Sequence, residues 1–261
     1  MIETIAAIRR LIDAEQLGAE ITCVEGPSIG NRAVVEAGNG VVAGSIPSDI
    51  VEDVLSDAES LMASEQSRTL DYGEHRVFIS TIAPPPVLVV FGAGHVSQPL
   101  AVFAQALGFR VIVVDSRPVW ATAERFPNVD DLIVGWPDAF FAEHELDART
   151  YVALMNHDAR FEDPVFPKVR TAPIRYIGAM GSRRTHRARV GRLKADGWDD
   201  SEIQRIHGPI GLDIGAVTPA EMAVAVVAEM TQVRYGHGTG LALRGTTGPI
   251  HRPRSDEPST G

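Results

Sequence analysis

The chain has 261 residues, of which 44% are hydrophobic and 22% charged, and its formal net charge is −10. This length fits one large domain or two modest ones, and the acidic balance argues against general nucleic-acid binding. No apolar run approaches the roughly 20 residues of a membrane span, and Glu3, Arg9 and Arg10 interrupt any signal-peptide core. The single Cys23 excludes an intrachain disulfide and a cysteine-rich metal cluster. We therefore expect a cytoplasmic protein with neither nucleic acid nor membrane as partner.

The first part of the chain, residues 1–83, predicts a small α+β domain. An amphipathic helix runs through about Gln16, and the strand AEITCVE and the hairpin RAVVEAGNGVVAGSI follow it. A second helix covers SDIVEDVLSDAESLMAS, with Ser48 or Asp49 as its N-cap. The segment RTLDYGEHRVFISTI predicts another hairpin, and the stiff proline run that begins at residue 84 marks the domain boundary.

Residues 84–235 change to an alternation of strands and helices. The short apolar runs are VLVVF, RVIVVD, DLIVG, YVALM and PIRYIG, and their continuous hydrophobicity indicates strands covered on both faces. This pattern predicts an α/β domain with a doubly wound, Rossmann-like parallel sheet. Its last helix begins with Thr218 as N-cap, Pro219 at the first position and Glu221 in a capping box. Residues 236–261 lack periodicity, which predicts a flexible tail.

The first strand of this second domain runs into the turn GAGHVS and then into a helix. Gly92 permits a tight turn, and Gly94 lets a pyrophosphate approach the backbone, while Ser97 takes the place of the third fingerprint glycine. The N-terminus of the following helix offers free N–H groups to a phosphate. His95, inside the turn, could contact a phosphate or cap the helix. The other interpretation of the segment is a tight turn between strand and helix without a ligand.

The second strand ends at Asp115, 21 residues after Gly94. An acid at this place usually accepts hydrogen bonds from a ribose diol. Arg117 could instead meet an additional phosphate, so the sequence leaves both NAD and NADP open.

An arginine-rich segment, GSRRTHRARVGR, follows the fifth strand of the domain. Ser182, after Gly181, predicts the cap of a helix whose first turn contains Arg183 and Arg184. Cations in a first helical turn oppose the helix dipole, so their placement makes physical sense where an anion occupies the helix end.

The alternative is that these arginines lie on a solvated face or pair with carboxylates elsewhere in the chain. The helical wheel favours this alternative for Arg189 and Arg192.

The order of strands in a doubly wound sheet brings three loops to one crevice, namely those after Phe91, Met155 and Ile177. In the middle loop His157 could be a base or a ligand, with Asp158 as its orienting carboxylate. The other interpretation is a polar loop with local capping bonds.

A glycine-rich loop, HGPIGLDIGA, is a further candidate. It fits neither helix nor strand, and such a loop brings backbone close to a ligand or partner, here through Gly211 and Gly215. Asp213 is its only carboxylate.

These segments together carry a family resemblance. FGAGHVSQPL, VVDSR, ALMNHDARFED, YIGAMGSRR and GPIGLDIGAVTPAEMAVAVVAEM resemble the C-terminal Rossmann-like domain of the xanthine dehydrogenase accessory (XdhC/CoxI) family, over about Val87 to Tyr235. The resemblance implies a chaperone-like factor that binds the molybdenum cofactor, a phosphorylated pterin dithiolene. Such a factor assists insertion or sulfuration of the cofactor in a molybdenum hydroxylase client, a xanthine or carbon monoxide dehydrogenase.

On this interpretation the chain binds a small anionic cofactor and carries no catalytic or metal-ligating residue of its own. The candidate cofactor-binding residues are Gly92, Gly94, His95, Ser97, Asp115, Arg117, His157, Asp158, Gly181, Ser182, Arg183, Arg184, Gly211, Asp213 and Gly215.

The N-terminal domain departs from the family pattern. Where the family carries GS-x-SGGC-VE, this chain has GSIPSDIVE, with Ile50 at the place of the cysteine. Cys23 lies inside a strand pattern, which predicts a small core residue. A divergent role is therefore an alternative: an NAD(P)-dependent oxidoreductase or nucleotide sensor, or an interaction module that has lost its ligand. Apolar positions on the N-terminal helices exceed what a small domain can bury, and this predicts a homodimer.

Overall fold

The computed structural model describes residues 2–156, 158–236 and 238–247. The chain divides into two compact units, one extending to Pro85 and the other beginning at Pro86. Within the described ranges, none of the helices has the length and apolar character that crossing a membrane requires.

The first unit is an antiparallel sheet with two helices. Its sheet has the order β3-β2-β1-β5-β4. Helix α2 covers one face through Val54, Ala58 and Leu61, while α1 packs Leu11 against Val34. The predicted α+β fold is confirmed. The elements are α1 (Ile2–Asp13), β1 (Gly18–Glu25), β2 (Arg32–Glu36), β3 (Gly40–Gly44), α2 (Val51–Ser64), β4 (Arg68–Tyr72) and β5 (His75–Ile82).

The predicted cap of α2 is wrong. Ile50 is the residue that precedes the helix, and no side chain caps it. Asp49 instead places its carboxylate 3.2 Å from Nε2 of the buried His75, so a contact distant in sequence replaces the local capping bond. Ile50 itself is buried in the core of this unit. Cys23 is buried as predicted, and this burial raises the pKa of its thiol.

The second unit contains a six-stranded parallel sheet of order β11-β10-β9-β6-β7-β8. The chain builds β6, β7 and β8 outward and then returns to place β9 on the other side of β6, which is the doubly wound topology predicted. The two-residue strand β11 was not predicted. The strands are β6 (Val87–Phe91), β7 (Arg110–Asp115), β8 (Asp131–Val134), β9 (Thr150–Leu154), β10 (Tyr176–Ala179) and β11 (Ile206–His207).

Helices cover both faces of this sheet, which explains the continuous apolar runs of its central strands. On one face the core includes Leu100 and Met230, and on the other Phe161 and Leu193. The elements are α3 (Ser97–Ala106), α4 (Pro137–Phe141), α5 (Ala159–Glu162), α6 (Phe166–Thr171), α7 (Arg183–Ala195), α8 (Asp200–Gln204), α9 (Pro219–Tyr235) and a 3-10 turn at Leu243–Gly245.

Helix α9 begins as the sequence predicts. The Thr218 hydroxyl accepts the Glu221 N–H, the Glu221 carboxylate returns to the Thr218 backbone, and Pro219 occupies the first turn. Gly236 ends the helix in the left-handed conformation. Of the predicted tail, residues 248–261 and residue 237 lie outside the described residues.

Candidate functional site

A crevice opens at the carboxyl edge of the sheet, where the strand order reverses between β6 and β9. It is a cavity of about 490 Å³, lined by Val96 after β6, Met155 after β9 and Met180 after β10. Ligands of doubly wound proteins bind at this position, and the volume lies within the range of small-molecule sites. The three loops expected to face one crevice therefore do so. The rest of the lining is Gly181, Ser182, Ile210, residues 212–216, Met222, Ala225 and Val226.

Four of the sequence-predicted residues line this crevice: Gly181, Ser182, Asp213 and Gly215. Ser182 caps α7 as predicted, because its hydroxyl accepts the Thr185 N–H at 3.1 Å. Asp213 is exposed and is the one charged side chain of the lining. The crevice is therefore lined mainly by apolar residues, three of them methionines, together with the N-cap of α7 and one carboxylate.

The glycine turn after β6 packs closely against the loop that follows β9. Gly92 has φ +114, and a Cβ there would lie 2.9 Å from the backbone nitrogen of Asn156, so only glycine allows the loops after β6 and β9 to meet. The Ser97 hydroxyl donates to the Gly92 carbonyl at 2.5 Å and is fully buried. At Gly94 a Cβ would have 4.0 Å of clearance from the Met155 carbonyl.

The carboxylate of Asp115 is fully buried and engaged by protein donors. It accepts the Ala93 N–H at 2.6 Å and two hydrogen bonds from the Arg117 guanidinium, at 2.9 and 2.6 Å. Burial alone would raise the pKa of Asp115, but the bonds from Arg117 and Ala93 outweigh it and hold the pKa below its ordinary value. Asp115 thus joins the end of β7 to the glycine turn through the Ala93 N–H. The sequence analysis had expected this carboxylate to accept hydrogen bonds from a ribose.

The outer side of the glycine turn is an aromatic and cationic cluster. Arg125 donates to the Ala93 carbonyl at 2.9 Å and lies over the Trp120 ring, 4.6 Å from its centroid. His95 is exposed and packs its ring edgewise on Trp120, with 5.0 Å between centroids. The residue that precedes α3 is Val96, without a side-chain cap bond, so His95 does not cap the helix.

Four of the five arginines of α7 form two pairs with different surroundings. Arg183 and Arg184 are exposed, and no ion pair joins them to a carboxylate among the described residues. Arg189 is fully buried and forms hydrogen bonds of 3.0 and 2.6 Å to Glu162, and Arg192 approaches the same carboxylate at 3.3 Å. Pairing with carboxylates, the alternative favoured for Arg189 and Arg192, is confirmed.

Arg189 also has a role that the sequence analysis missed. Its guanidinium donates to the Met180 carbonyl at 2.9 Å, directly before the two loop residues that line the crevice. The sequence gives no local signal for this role, because Glu162, the partner of Arg189, lies 27 positions away in the chain.

In the loop after β9, Asp158 caps α5. Its carboxylate accepts the Arg160 N–H at 3.0 Å and pairs with the Arg160 side chain. These contacts match the second interpretation of this loop, a polar loop with local capping bonds. These bonds lower the pKa of Asp158. His157 lies outside the described residues.

Gly211 does not line the crevice but begins its glycine-rich wall. Its N–H donates to Glu229 of α9 at 2.9 Å, a residue that the sequence analysis did not single out. Nothing in the helical pattern marks Glu229, because its partners come from β10, β11 and this loop.

The sheet order and the glycine turn define a Rossmann-type α/β domain, with a crevice at its switch point. A family model, the XdhC Rossmann domain, matches residues 88–230 of the chain. This is more than half of the chain, which therefore belongs to that family.

Two curated relatives are similar to this chain over part of their length. The chain is 35% identical over 159 residues to a probable xanthine dehydrogenase subunit of Bacillus subtilis (strain 168), covering 60% of this chain and 46% of that protein. It is 31% identical over 147 residues to the molybdenum cofactor insertion chaperone PaoD of Escherichia coli (strain K12), covering 56% and 40%. The chain thus spans less than half the length of these curated relatives.

A solved structure shares the fold. A crystal structure described as a xanthine dehydrogenase from Bacillus halodurans aligns with a TM-score of 0.53 at 18% identity, over 92% of this chain and 98% of that one. At this identity the likeness concerns the fold alone.

Proposed function

We propose that this protein is an accessory factor that binds the molybdenum cofactor and assists its insertion into a molybdenum hydroxylase of the xanthine or carbon monoxide dehydrogenase type. The observation that carries the proposal is the crevice at the switch point, with the exposed Arg183 and Arg184 at the helix end beside it. Family membership and the name of the chaperone relative support the same ligand. When bound, the cofactor would supply the molybdenum dithiolene centre, and the chain itself would contribute no catalytic group.

The residues present fit a phosphorylated pterin. The phosphate matches the start of α7, where Ser182 leaves the first-turn N–H groups near the crevice and Arg183 and Arg184 lack an acidic partner among the described residues. The apolar walls, with Met155 and Met180, match a flat ring system. Burying an unpaired phosphate would be costly, so the exposed position of these arginines at the rim suits its charge.

Asp213 fits a second polar part of the same ligand. The pyrimidinone ring of a pterin presents adjacent N–H groups, and a carboxylate can accept two of them in a bidentate pair. We assign this role to Asp213 because it is the crevice's one charged side chain and forms no ion pair with another described residue.

The dinucleotide alternative has less support. Asp115, which would hold the ribose of NAD, is fully buried, and both of its oxygens already accept hydrogen bonds from the Ala93 N–H and from the backbone and guanidinium of Arg117. The name of the Escherichia coli chaperone relative supports the molybdenum cofactor instead.

The test is the affinity of the purified protein for molybdopterin, with mass spectrometry of any ligand retained through native purification. Arg183→Ala combined with Arg184→Ala should weaken binding at least about tenfold, because charge-assisted hydrogen bonds are lost. The matched control is Lys168→Ala combined with Lys194→Ala, which removes two positive charges from the same unit, in α6 and in the last turn of α7, away from the Ser182 end of that helix. Equal affinities of the two double variants would refute the site.

A further inference from the structure

Glu229 joins four parts of the second unit through one carboxylate. Its Oε2 accepts the Tyr176 O–H at 2.5 Å and the Gly211 N–H at 2.9 Å, and its Oε1 lies 3.2 Å from Nδ1 of His207. These partners belong to β10, the glycine-rich loop and β11, while Glu229 belongs to α9. The side chain is only 13% exposed, so water does not readily replace these partners.

The bond to Gly211 fixes the wall of the crevice. Gly211 is followed at once by residues 212–216, all of which line the cavity. The next N–H, of Leu212, donates to the Ala225 carbonyl at 3.1 Å, so two successive residues hold the loop against α9. A Cβ on Gly211 would lie 3.2 Å from Ala225, which indicates how closely the loop approaches the helix there.

The network depends on a charged carboxylate. Burial alone would raise the pKa of Glu229, but hydrogen bonds with His207, Tyr176 and Gly211 outweigh it and lower the pKa. Burial and the nearby Glu229 charge raise the pKa of Tyr176 well above its ordinary value, so its hydroxyl remains a donor. A glutamine at residue 229 can still accept from Tyr176 and Gly211 through its carbonyl oxygen, but that oxygen is neutral and forms weaker bonds, and the NH2 group cannot accept from His207.

We propose that Glu229 is a positioning residue for the ligand crevice, which holds the Gly211–Ala216 wall, and with it Asp213, in the conformation that binds ligand. The inference rests on the proposed function for the identity of the ligand. Glu229 does not line the cavity and acts through the loop. The conformation of the glycine-rich wall thus depends on one largely buried carboxylate outside the lining.

The experiment compares Glu229→Gln with Tyr176→Phe and the control Glu202→Gln. Glu202 is a matched control because its carboxylate also accepts several hydrogen bonds in the second unit, from Arg170 and the Asp199 N–H, but lies at α8. The readouts are amide hydrogen exchange in the segment 208–216, the affinity for molybdopterin and the melting temperature of the full chain.

Glu229→Gln should raise amide exchange in residues 208–216 and weaken molybdopterin affinity, each about fivefold, as expected when a charged acceptor is replaced by a neutral one. Tyr176→Phe leaves the carboxylate and its bond to Gly211, so it should increase exchange and weaken affinity less than Glu229→Gln does. This variant provides the test if Glu229→Gln does not fold. Glu202→Gln should change the melting temperature without selective exchange in this segment.

Unchanged exchange in residues 208–216 of Glu229→Gln would overturn the inference, and so would faster exchange with undiminished affinity. A wild-type protein that does not bind molybdopterin would refute the proposed function. In that case the exchange comparison still decides whether Glu229 orders the wall.

Discussion

Three aspartates in the second unit form the same local fork with an arginine two residues later: Asp115, Asp147 and Asp158. In each pair the aspartate accepts both the backbone N–H and the side chain of its arginine. Only Asp115 is fully buried and also accepts a distant N–H, that of Ala93. The same Asp-x-Arg pattern therefore forms a local cap at the surface, as at Asp158, and holds the glycine turn in the interior, as at Asp115.

This contrast predicts that Asp115→Asn destabilises the protein by about 2 kcal/mol, because a buried acceptor of charge-assisted bonds is replaced by an amide. The control Asp147→Asn, whose fork is partly exposed, should cost clearly less. The measurement is the free energy of unfolding in urea. Equal losses for the two variants would contradict a special role for the Ala93 bond.

The same variant should change the pH dependence of stability. The pKa of Asp115 is lower in the folded protein than its ordinary value, so the folded state favours the charged form. The stabilisation is complete above the unfolded pKa of about 4 and is lost as the pH falls through the folded value below it. The difference in unfolding free energy between wild type and Asp115→Asn should stay constant from neutral pH to about pH 5 and shrink in more acidic solution.

At the scale of elements, the Arg189–Glu162 pair joins α7 to α5 in the interior, with side chains 0% and 3% exposed. Arg189→Met should destabilise the protein by about 3 kcal/mol, because Glu162 stays buried with only the weaker Arg192 contact. Adding Glu162→Gln should restore part of the loss, since the uncompensated charge is removed. Urea unfolding of the two single variants and the double variant measures the coupling. A strictly additive double variant would contradict the pairing.

The sequence predicts an element well when the residues that interact to form it lie close together in the chain. The Ser182 cap and the Thr218–Glu221 capping box were predicted because the partners lie within one turn. The parallel sheet was predicted because apolar runs report burial on both faces. The Asp49 cap failed because His75 is its partner instead, 26 residues away.

The candidate site follows the same division. Gly181, Ser182, Asp213 and Gly215 could be singled out from glycine-rich loops, whereas the groups that hold those loops could not. Arg189 and Glu229 act on backbone atoms that only the folded chain brings near. The internal use of Asp115 was likewise hidden, since a ribose-binding acid and a turn-fixing acid occupy the same place in the sequence.

At the scale of the whole molecule, the predicted homodimer has a candidate surface on α1. Ile2, Ile5 and Ala6 lie exposed on one stripe of the helix with Arg9. An antiparallel second copy centred on the small Ala6 would bring Glu3 near the partner's Arg9 and oppose the two helix dipoles. Self-association about a two-fold axis requires such a self-complementary surface.

Ile5→Glu should then convert a dimer into a monomer, because it places a charge in an apolar contact. Light scattering distinguishes the two states, since one chain has a mass of 28.1 kDa. The control is Val119→Glu, at a position of the second unit that is 78% exposed. A wild type of single-chain mass would refute the dimer outright, and an unchanged Ile5→Glu dimer would refute this surface.

The walls of the crevice contain three thioethers, those of Met155, Met180 and Met222, and the last is 37% exposed. Oxidants convert a methionine to a polar, chiral sulfoxide, which would alter the solvation of the cleft without changing the sequence. The unbranched side chains also adapt to ligand outlines better than branched ones do. Treatment with hydrogen peroxide should therefore weaken the proposed binding of a pterin, and methionine sulfoxide reductases should restore it.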